Sequence, residues 1–336
     1  MENRLIKEIK INYDLDLNTR MGNTDVSVKL TGMEDGYLSA SLVDQAGEAV
    51  DSIFPIVLEE QMEFCLQVKS PHLWNAERPY LYTLVIELLN QNHETIERMT
   101  RKIPFYKWEI LDGKTCLNRV PVKFKAEVWK DTVFVPEKAD DFLNLDDEIF
   151  SVNAKKKIWQ DLVSMKKNGK NAVVVEAAFV TEELEFWCHV CGIYLIVRGE
   201  SPDAVRLLTE YTAQLDKDGQ GSLMENDFQM QVVQTGVMIE NHSTFVNASE
   251  YELYYEIAGA DHIVMWGTME TDIPAGKSRF IELPFTTPDR AGEYRYLAAL
   301  RLKEDTAWEN KGYVIAQADT KIWNIYDTRV KRSKPT

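Results

Sequence analysis

The 336-residue chain is poor in cysteine, short of cations relative to anions, and without a long apolar run. Each deficit closes off a class of function. Four cysteines, Cys65, Cys116, Cys188 and Cys191, are too few and too scattered for the disulfide framework of a small secreted domain. No stretch approaches the ~20 apolar residues of a membrane-crossing helix, and the opening "MENRLIKEIKINYD" has no apolar core of signal-peptide length. The expectation is a soluble, cytoplasmic protein. Lys and Arg number 38 against 54 Asp and Glu, so the net charge of −16 argues against nucleic acid and anionic membrane as partners. Basic residues cluster in the tail "RVKRSKPT". H-E-x-x-H, G-x-S-x-G and phosphate-loop motifs are all missing, which removes the commonest short signatures of metalloprotease, hydrolase and nucleotide chemistry.

What is present is an ordinary folded composition, 45% hydrophobic and 27% charged, at a length that suits two or three domains. Residues 5 to 105 alternate at period two. "IKINYDLDL" sets Ile9, Ile11, Tyr13, Leu15 and Leu17 on one face, and "TDVSVKL" sets Val26, Val28 and Leu30 on one face. Turn signals such as "MEDG" and "QAGEA" separate these runs, so an antiparallel sandwich is expected. From about residue 118 the pattern changes. "VPVKFKAE" reads as a strand, residues 148 to 168 carry Ile158, Trp159, Leu162, Val163 and Met165 at helical spacing, and "NAVVVEAA" is a near-continuous apolar strand. A helix over 181 to 191, the strand "IYLIV" and a helix in "PDAVRLLTEYTAQL" follow. Apolar, unalternating strands interleaved with helices predict a buried parallel sheet, here of about three strands. After the polar stretch "DKDGQGS", alternation returns. Leu253, Tyr255 and Ile257, then Tyr294, Tyr296, Ala298, Leu300 and Leu302, take one side of their strands, which predicts a second sandwich.

Three local features invite chemistry. The loop "SPHLWNAERPYLYTLVIEL" (70–88) places Pro71 and Pro79, which bar helix and central strand, around Trp74 and just before the alternating Tyr82, Leu84, Ile86 and Leu88. Trp74 is either a plug at the sandwich edge or a packing post between modules. "CHVC" at 188–191 has the spacing of half a zinc site or a redox pair, but no second ligand pair follows, and Gly192 marks it as a helix end. "DKDGQGSLMEND" puts Asp216, Asp218, Gln220, Gly221, Ser222 and Asp227 at positions 1, 3, 5, 6, 7 and 12 of a calcium loop. Calcium is therefore the one cofactor with a place in the sequence. Against it stand Asp rather than Glu at position 12 and the strand-like "FQMQVVQTG" that follows.

"SPHLWNAERPYLYTLVIEL" resembles the end of the immunoglobulin-like domain that precedes the barrel in β-galactosidases of glycoside hydrolase family 2, with its Pro-x-Leu-Trp-x-x-Glu-x-Pro-x-Leu-Tyr run. "ENHSTFVNASEYELYYEI", "DIPAGKSRFIELP" and "DTAWENKGYVIAQ" resemble the sandwich that follows the barrel there, with Tyr313 where the family has histidine. The fold this implies is multidomain and mainly β: an immunoglobulin-like sandwich (1–106), a truncated (β/α) barrel remnant (107–215), a linker (216–225), a second sandwich (226–325) and a basic tail (326–336). In the middle segment the family's sugar-facing residues are replaced. Val174 stands for an arginine and Glu176 with Ala177 for a Ser-His pair; Val197, Arg198, Gly199 and Glu200 replace Asp-Glu-Ala-Asn; Val128, Trp129, Lys130 and Asp131 replace Asn-Arg-His-Glu. Met165, Asn171, Ala172, Gly192 and Tyr194 match the family. Retaining hydrolysis needs two carboxyls roughly 5 Å apart. The chain passes from its third barrel-like strand to the second sandwich without the segments that supply them.

The resemblance thus implies a non-catalytic, carbohydrate-associated binding or structural component, a β-galactoside or other carbohydrate as ligand, and a second copy or a complete family 2 enzyme as partner. An active β-galactosidase stays open through Glu127, Glu176 and Glu200, which lie at carboxyl ends of the predicted parallel strands. A calcium-binding module stays open through the 216–227 loop.

Overall fold

The computed structural model describes residues 5–31, 35–129, 153–199, 208–209 and 227–325. The chain divides into two compact units, residues 1–222 and 223–336.

The first unit opens with seven antiparallel strands: β1 (Ile6–Asp16), β2 (Met21–Leu30), β3 (Gly36–Val43), β4 (Ala49–Val57), β5 (Gln61–Lys69), β6 (Tyr82–Asn90) and β7 (Thr95–Ile103). They form a three-stranded sheet, β1-β2-β5, and a four-stranded sheet, β4-β3-β6-β7. The alternation seen in the sequence is the cause. Tyr82, Leu84, Ile86 and Leu88 meet Val26, Val28, Leu38, Leu42 and Leu66 in one core, each 2% exposed or less. Burying an aliphatic side chain of this size contributes about 1.5–3 kcal/mol.

A small antiparallel sheet follows, β8 (Trp108–Leu111), β9 (Lys114–Leu117) and β10 (Val120–Pro121), in the order β10-β9-β8. The expected strand over 120–127 is split. Pro121 offers no N–H, so β10 ends there at a sheet edge, and the chain re-forms a strand only at β11 (Ala126–Val128). β11, α1 (Asn153–Lys167), β12 (Ala172–Glu176), α2 (Glu182–Cys191), β13 (Tyr194–Arg198) and β14 (Leu208–Thr209) complete the unit. β11-β12-β13-β14 is a parallel sheet. It has four strands, one more than the sequence suggested. Leu208 and Thr209, expected within a helix, pair instead with Ile196 and Val197. The open edge of β13 takes a hydrogen-bonding partner, and that pairing overrides local helical spacing. Val173 and Val174 are 0% and 1% exposed although they point to opposite faces, so the sheet is covered on both sides. α2 begins at Thr181, whose hydroxyl accepts from Leu184 N at 3.1 Å, and ends at Gly192 in the left-handed region, as the sequence predicts.

The second unit is another sandwich: β15 (Phe228–Val233), β16 (Gly236–Asn241), β17 (Tyr251–Ala258), β18 (Ile263–Met269), β19 (Ser278–Glu282), β20 (Gly292–Leu302) and β21 (Val314–Asn324). Its sheets are β15-β16-β19 and β18-β17-β20-β21. Leu253, Tyr255, Ile257, Tyr294, Tyr296, Ala298 and Leu300 enclose the core with Phe228, Val237 and Ile239. Gly267 of β18 lets the Tyr255 ring pass: a Cβ there would lie 2.3 Å from the Tyr255 hydroxyl.

Candidate functional site

At the carboxyl ends of the parallel strands the register decides which side chains meet. Glu127 lies beside Val173, whereas Glu176 lies beside Arg198. Successive side chains alternate between faces, so Glu127 shares the face of Val173 and Val175, and Glu176 shares that of Ala172 and Val174. Glu127 is also level with the residue three positions before Glu176, about 10 Å back along the strand. The two carboxylates do not converge. Glu176 is half exposed and pairs with Arg198 at 3.5 Å. Around it, Val174 and Val197 are buried aliphatics with no hydrogen bond to offer a sugar. Glu200 lies outside the described residues, as do Asp216, Asp218, Gln220 and Ser222 of the calcium loop. Asp227 is exposed at the entry to β15, where its backbone oxygen accepts from His242 N at 2.8 Å. Among the described residues no group of three or more His, Cys, Asp or Glu side chains is placed to hold a metal.

The residues shared with the resembled family are instead occupied with packing, and they gather around Trp74. Asn75 Oδ1 accepts from the backbones of Glu77 and Arg78 at 3.0 and 2.7 Å, so the loop between the prolines is a rigid turn. It drives Trp74, 2% exposed, away from water. The indole Nε1 donates to His189 O on α2 at 2.9 Å, and the ring lies 5.2 Å from Tyr106, 5.2 Å from His189 and 5.7 Å from Tyr194. Tyr194, at the start of β13, also meets Trp108 and Phe124 edge-on. Lys166 of α1 donates to Ala76 O and, at 2.8 Å, to Gly192 O. Gly192 has φ 66°, and a Cβ there would strike Ala76 O at 2.4 Å. Asn171 spans β11 and β12, accepting from Lys125 N at 2.6 Å and donating to Lys123 O at 2.9 Å. Trp74 is thus the packing post of the two readings. It joins the first sandwich to the parallel sheet within one unit.

The Cys-x-x-Cys thiols lie under this joint. Both are unpaired and buried. Burial pushes the Cys188 thiol well up and raises Cys191 to about 12, with the Lys166 ammonium opposing it in part, so neither is a ready nucleophile or ligand.

The inward-pointing alternation of the second sandwich is plain in the sequence, whereas the residues between read as ordinary solvent-facing alternates. On the outer face of β18-β17-β20-β21, Trp266, Glu256, Leu297 and Asp319 lie in one row, and Thr268, Tyr254, Ala299 and Gln317 in the next. Glu256 accepts from Tyr254 Oη at 2.7 Å and pairs with Arg295 at 2.6 Å. The Arg301 guanidinium lies over the Tyr254 ring, 3.4 Å from its centroid, and Trp266 stacks beside the same ring at 6.3 Å. Burial first, then the bond to Glu256, pushes the Tyr254 hydroxyl up. Trp266 itself is 66% exposed.

Together the elements define a multidomain β-sandwich protein that carries, between its sandwiches in chain order, a strip of parallel α/β structure. Residues 5–105 match the model for glycosyl hydrolases family 2, and residues 237–322 match that for β-galactosidase domain 4. The chain belongs to glycoside hydrolase family 2. It is 26% identical over 188 residues to a β-galactosidase of Halalkalibacterium halodurans, covering 56% of this chain and 17% of that protein. Against a β-galactosidase of Pseudoalteromonas haloplanktis it is 24% identical over 236 residues, 69% of this chain and 20% of the relative. A β-D-glucuronidase structure from Dictyoglomus thermophilum aligns with 59% of this chain and 29% of its own at 22% identity and a TM-score of 0.40. The chain spans about a quarter or less of the curated relatives it matches.

Proposed function

We propose that the chain is a non-catalytic member of its family, a carbohydrate-associated binding component that keeps the family's scaffold and has lost its hydrolytic centre. The observation that carries this is the divergence of Glu127 and Glu176 onto opposite faces of the sheet, with Glu176 held by Arg198. A retaining centre needs one carboxyl to protonate the leaving oxygen and a second, roughly 5 Å away, to attack the anomeric carbon. The scaffold residues support the same reading. Met165, Asn171, Ala172, Gly192 and Tyr194 serve the packing of α1, α2 and the sheet, while Val174 and Val197 stand where sugar-facing polar groups stand in the resembled family.

The ligand class follows from the family and the polar, acidic chain: a neutral carbohydrate, β-galactosides first, in keeping with the names of the relatives. The test is turnover of a chromogenic β-galactoside at high protein concentration. No release above that of a heat-denatured sample is expected. Release that persists through purification and is lost in Glu176→Gln would replace this reading with that of an enzyme.

A further inference from the structure

We infer that the outer face of the β18-β17-β20-β21 sheet is a binding platform for a neutral oligosaccharide, seated on Trp266; this deepens the carbohydrate-binding reading above and rests on it.

A pyranose presents an apolar C–H face and a rim of hydroxyls that both donate and accept. Its recognition calls for an exposed aromatic plane beside fixed polar groups of both kinds. Trp266 supplies the plane: it is 66% exposed on an edge strand, while its neighbour Tyr254 is buried and props it from behind. The polar groups are already set. The Glu256 carboxylate, buried at 8% exposure, is held by Tyr254 Oη and Arg295 and in turn fixes both of those groups, so they need no ordering when a ligand binds. Arg301 lies flat on Tyr254, and its Nε is buried with no hydrogen-bond partner among the described residues. Gln317 and Asp319, both exposed on β21, close the far side of the two rows. Between Trp266 and these two, Leu297 and Ala299, at 8% and 0% exposure, are closed over by Tyr254 and Val314, so the contact surface is made by Trp266, Arg301, Gln317 and Asp319. Three strand intervals separate Trp266 from Asp319, about 14 Å of sheet.

Charge selects the occupant. On this face Arg295 pairs with Glu256 at 2.6 Å and Lys321 with Glu293 at 2.9 Å, Arg301 lies opposite Glu252, and Asp319 is a further anion, so the face has no excess cation for a phosphate or an anionic lipid. A protein partner fits less well, because interface cores are depleted of charge, whereas Glu256 and Arg295 stand in the middle of this face. A neutral polyhydroxylated ligand matches. A second tryptophan gives the platform length: Trp323, 67% exposed, sits on the opposite edge strand of the same face, beside Glu293. It is displaced four positions along β21 from Asp319, which places it roughly 20 Å diagonally from Trp266. That span suits a chain of several hexoses rather than one sugar.

The experiment is native affinity electrophoresis of the full chain in gels containing β-1,4-galactan or mannan, with a titration of β-1,4-galactotetraose followed by tryptophan fluorescence. The native chain should be retarded, W266A should bind about tenfold more weakly or worse at an unchanged melting temperature, and E256Q should weaken binding as well. F54A, which removes an aromatic that is 90% exposed in the other unit, should bind as the native chain does. Undiminished binding by both W266A and W266A/W323A would overturn the platform and leave the carbohydrate reading standing. No retardation of the native chain by either polysaccharide would overturn both. A sugar-independent dimer that dissociates in W266A would show the face to be a protein interface and would overturn the platform as well.

Discussion

Trp74 shows how one side chain can hold two modules together. Its ring is buried among Tyr106, His189 and Tyr194, and its indole N–H satisfies a carbonyl near the end of α2. Trp74→Ala should therefore cost on the order of 3–5 kcal/mol of stability, measured by denaturant unfolding. Trp74→Phe keeps most of the volume but removes one of the donors to His189 O, which still accepts from Gly192 N, and should cost about 0.5–1.5 kcal/mol. An unchanged stability in Trp74→Phe would deny the hydrogen bond its role. The size of the ring and the rigidity of the proline-bounded loop were legible in the sequence. Its partner was not, because His189 lies 115 residues away and no local pattern encodes that contact. The thiols make a second test at this scale. Cys65 is exposed and Cys116, Cys188 and Cys191 are buried, so a thiol reagent at neutral pH should label Cys65 in the native chain and the other three only on unfolding. Burial also raises the Cys65 thiol, with Asp25 adding to it, so even that reaction should quicken as pH rises toward the thiol's own range.

At the scale of elements, both sandwiches were readable because period-two alternation directly encodes which face is buried. Leu253, Tyr255 and Ile257 are in the core as expected. What escaped was of two kinds. The β8–β10 sheet and the two-residue β14 are too short to carry a period, and β14 exists because β13 has an edge to pair. The outer face of the second sandwich escaped because its Tyr254 and Glu256 read as ordinary polar alternates until the cross-strand register set them beside Trp266 and Arg295. The parallel sheet yields a prediction of its own. β12 and β13 are each paired on both sides, whereas β11 and β14 are the edges. Amide exchange should be slow across 172–176 and 194–198 and faster at 126–128 and 208–209. Uniformly fast exchange over all four strands would mean that the strip is not a stable sheet.

At the scale of the whole molecule, the chain keeps two sandwich types of a large glycosidase family and four strands of parallel structure between them in sequence. General acid catalysis alone is worth about 10²- to 10⁴-fold, and Glu127 and Glu176 are not placed to supply it together with a nucleophile. The central claim is that this chain holds carbohydrate without cleaving it. The most direct measurement is prolonged incubation of the purified chain with β-1,4-galactotetraose, with chromatography of the sugar and fluorescence of the bound complex read on the same sample. The account predicts a saturable fluorescence change while the tetrasaccharide is recovered intact. Shorter oligosaccharides or galactose that accumulate in proportion to protein, and fail to accumulate with Glu176→Gln or Glu200→Gln, would contradict it.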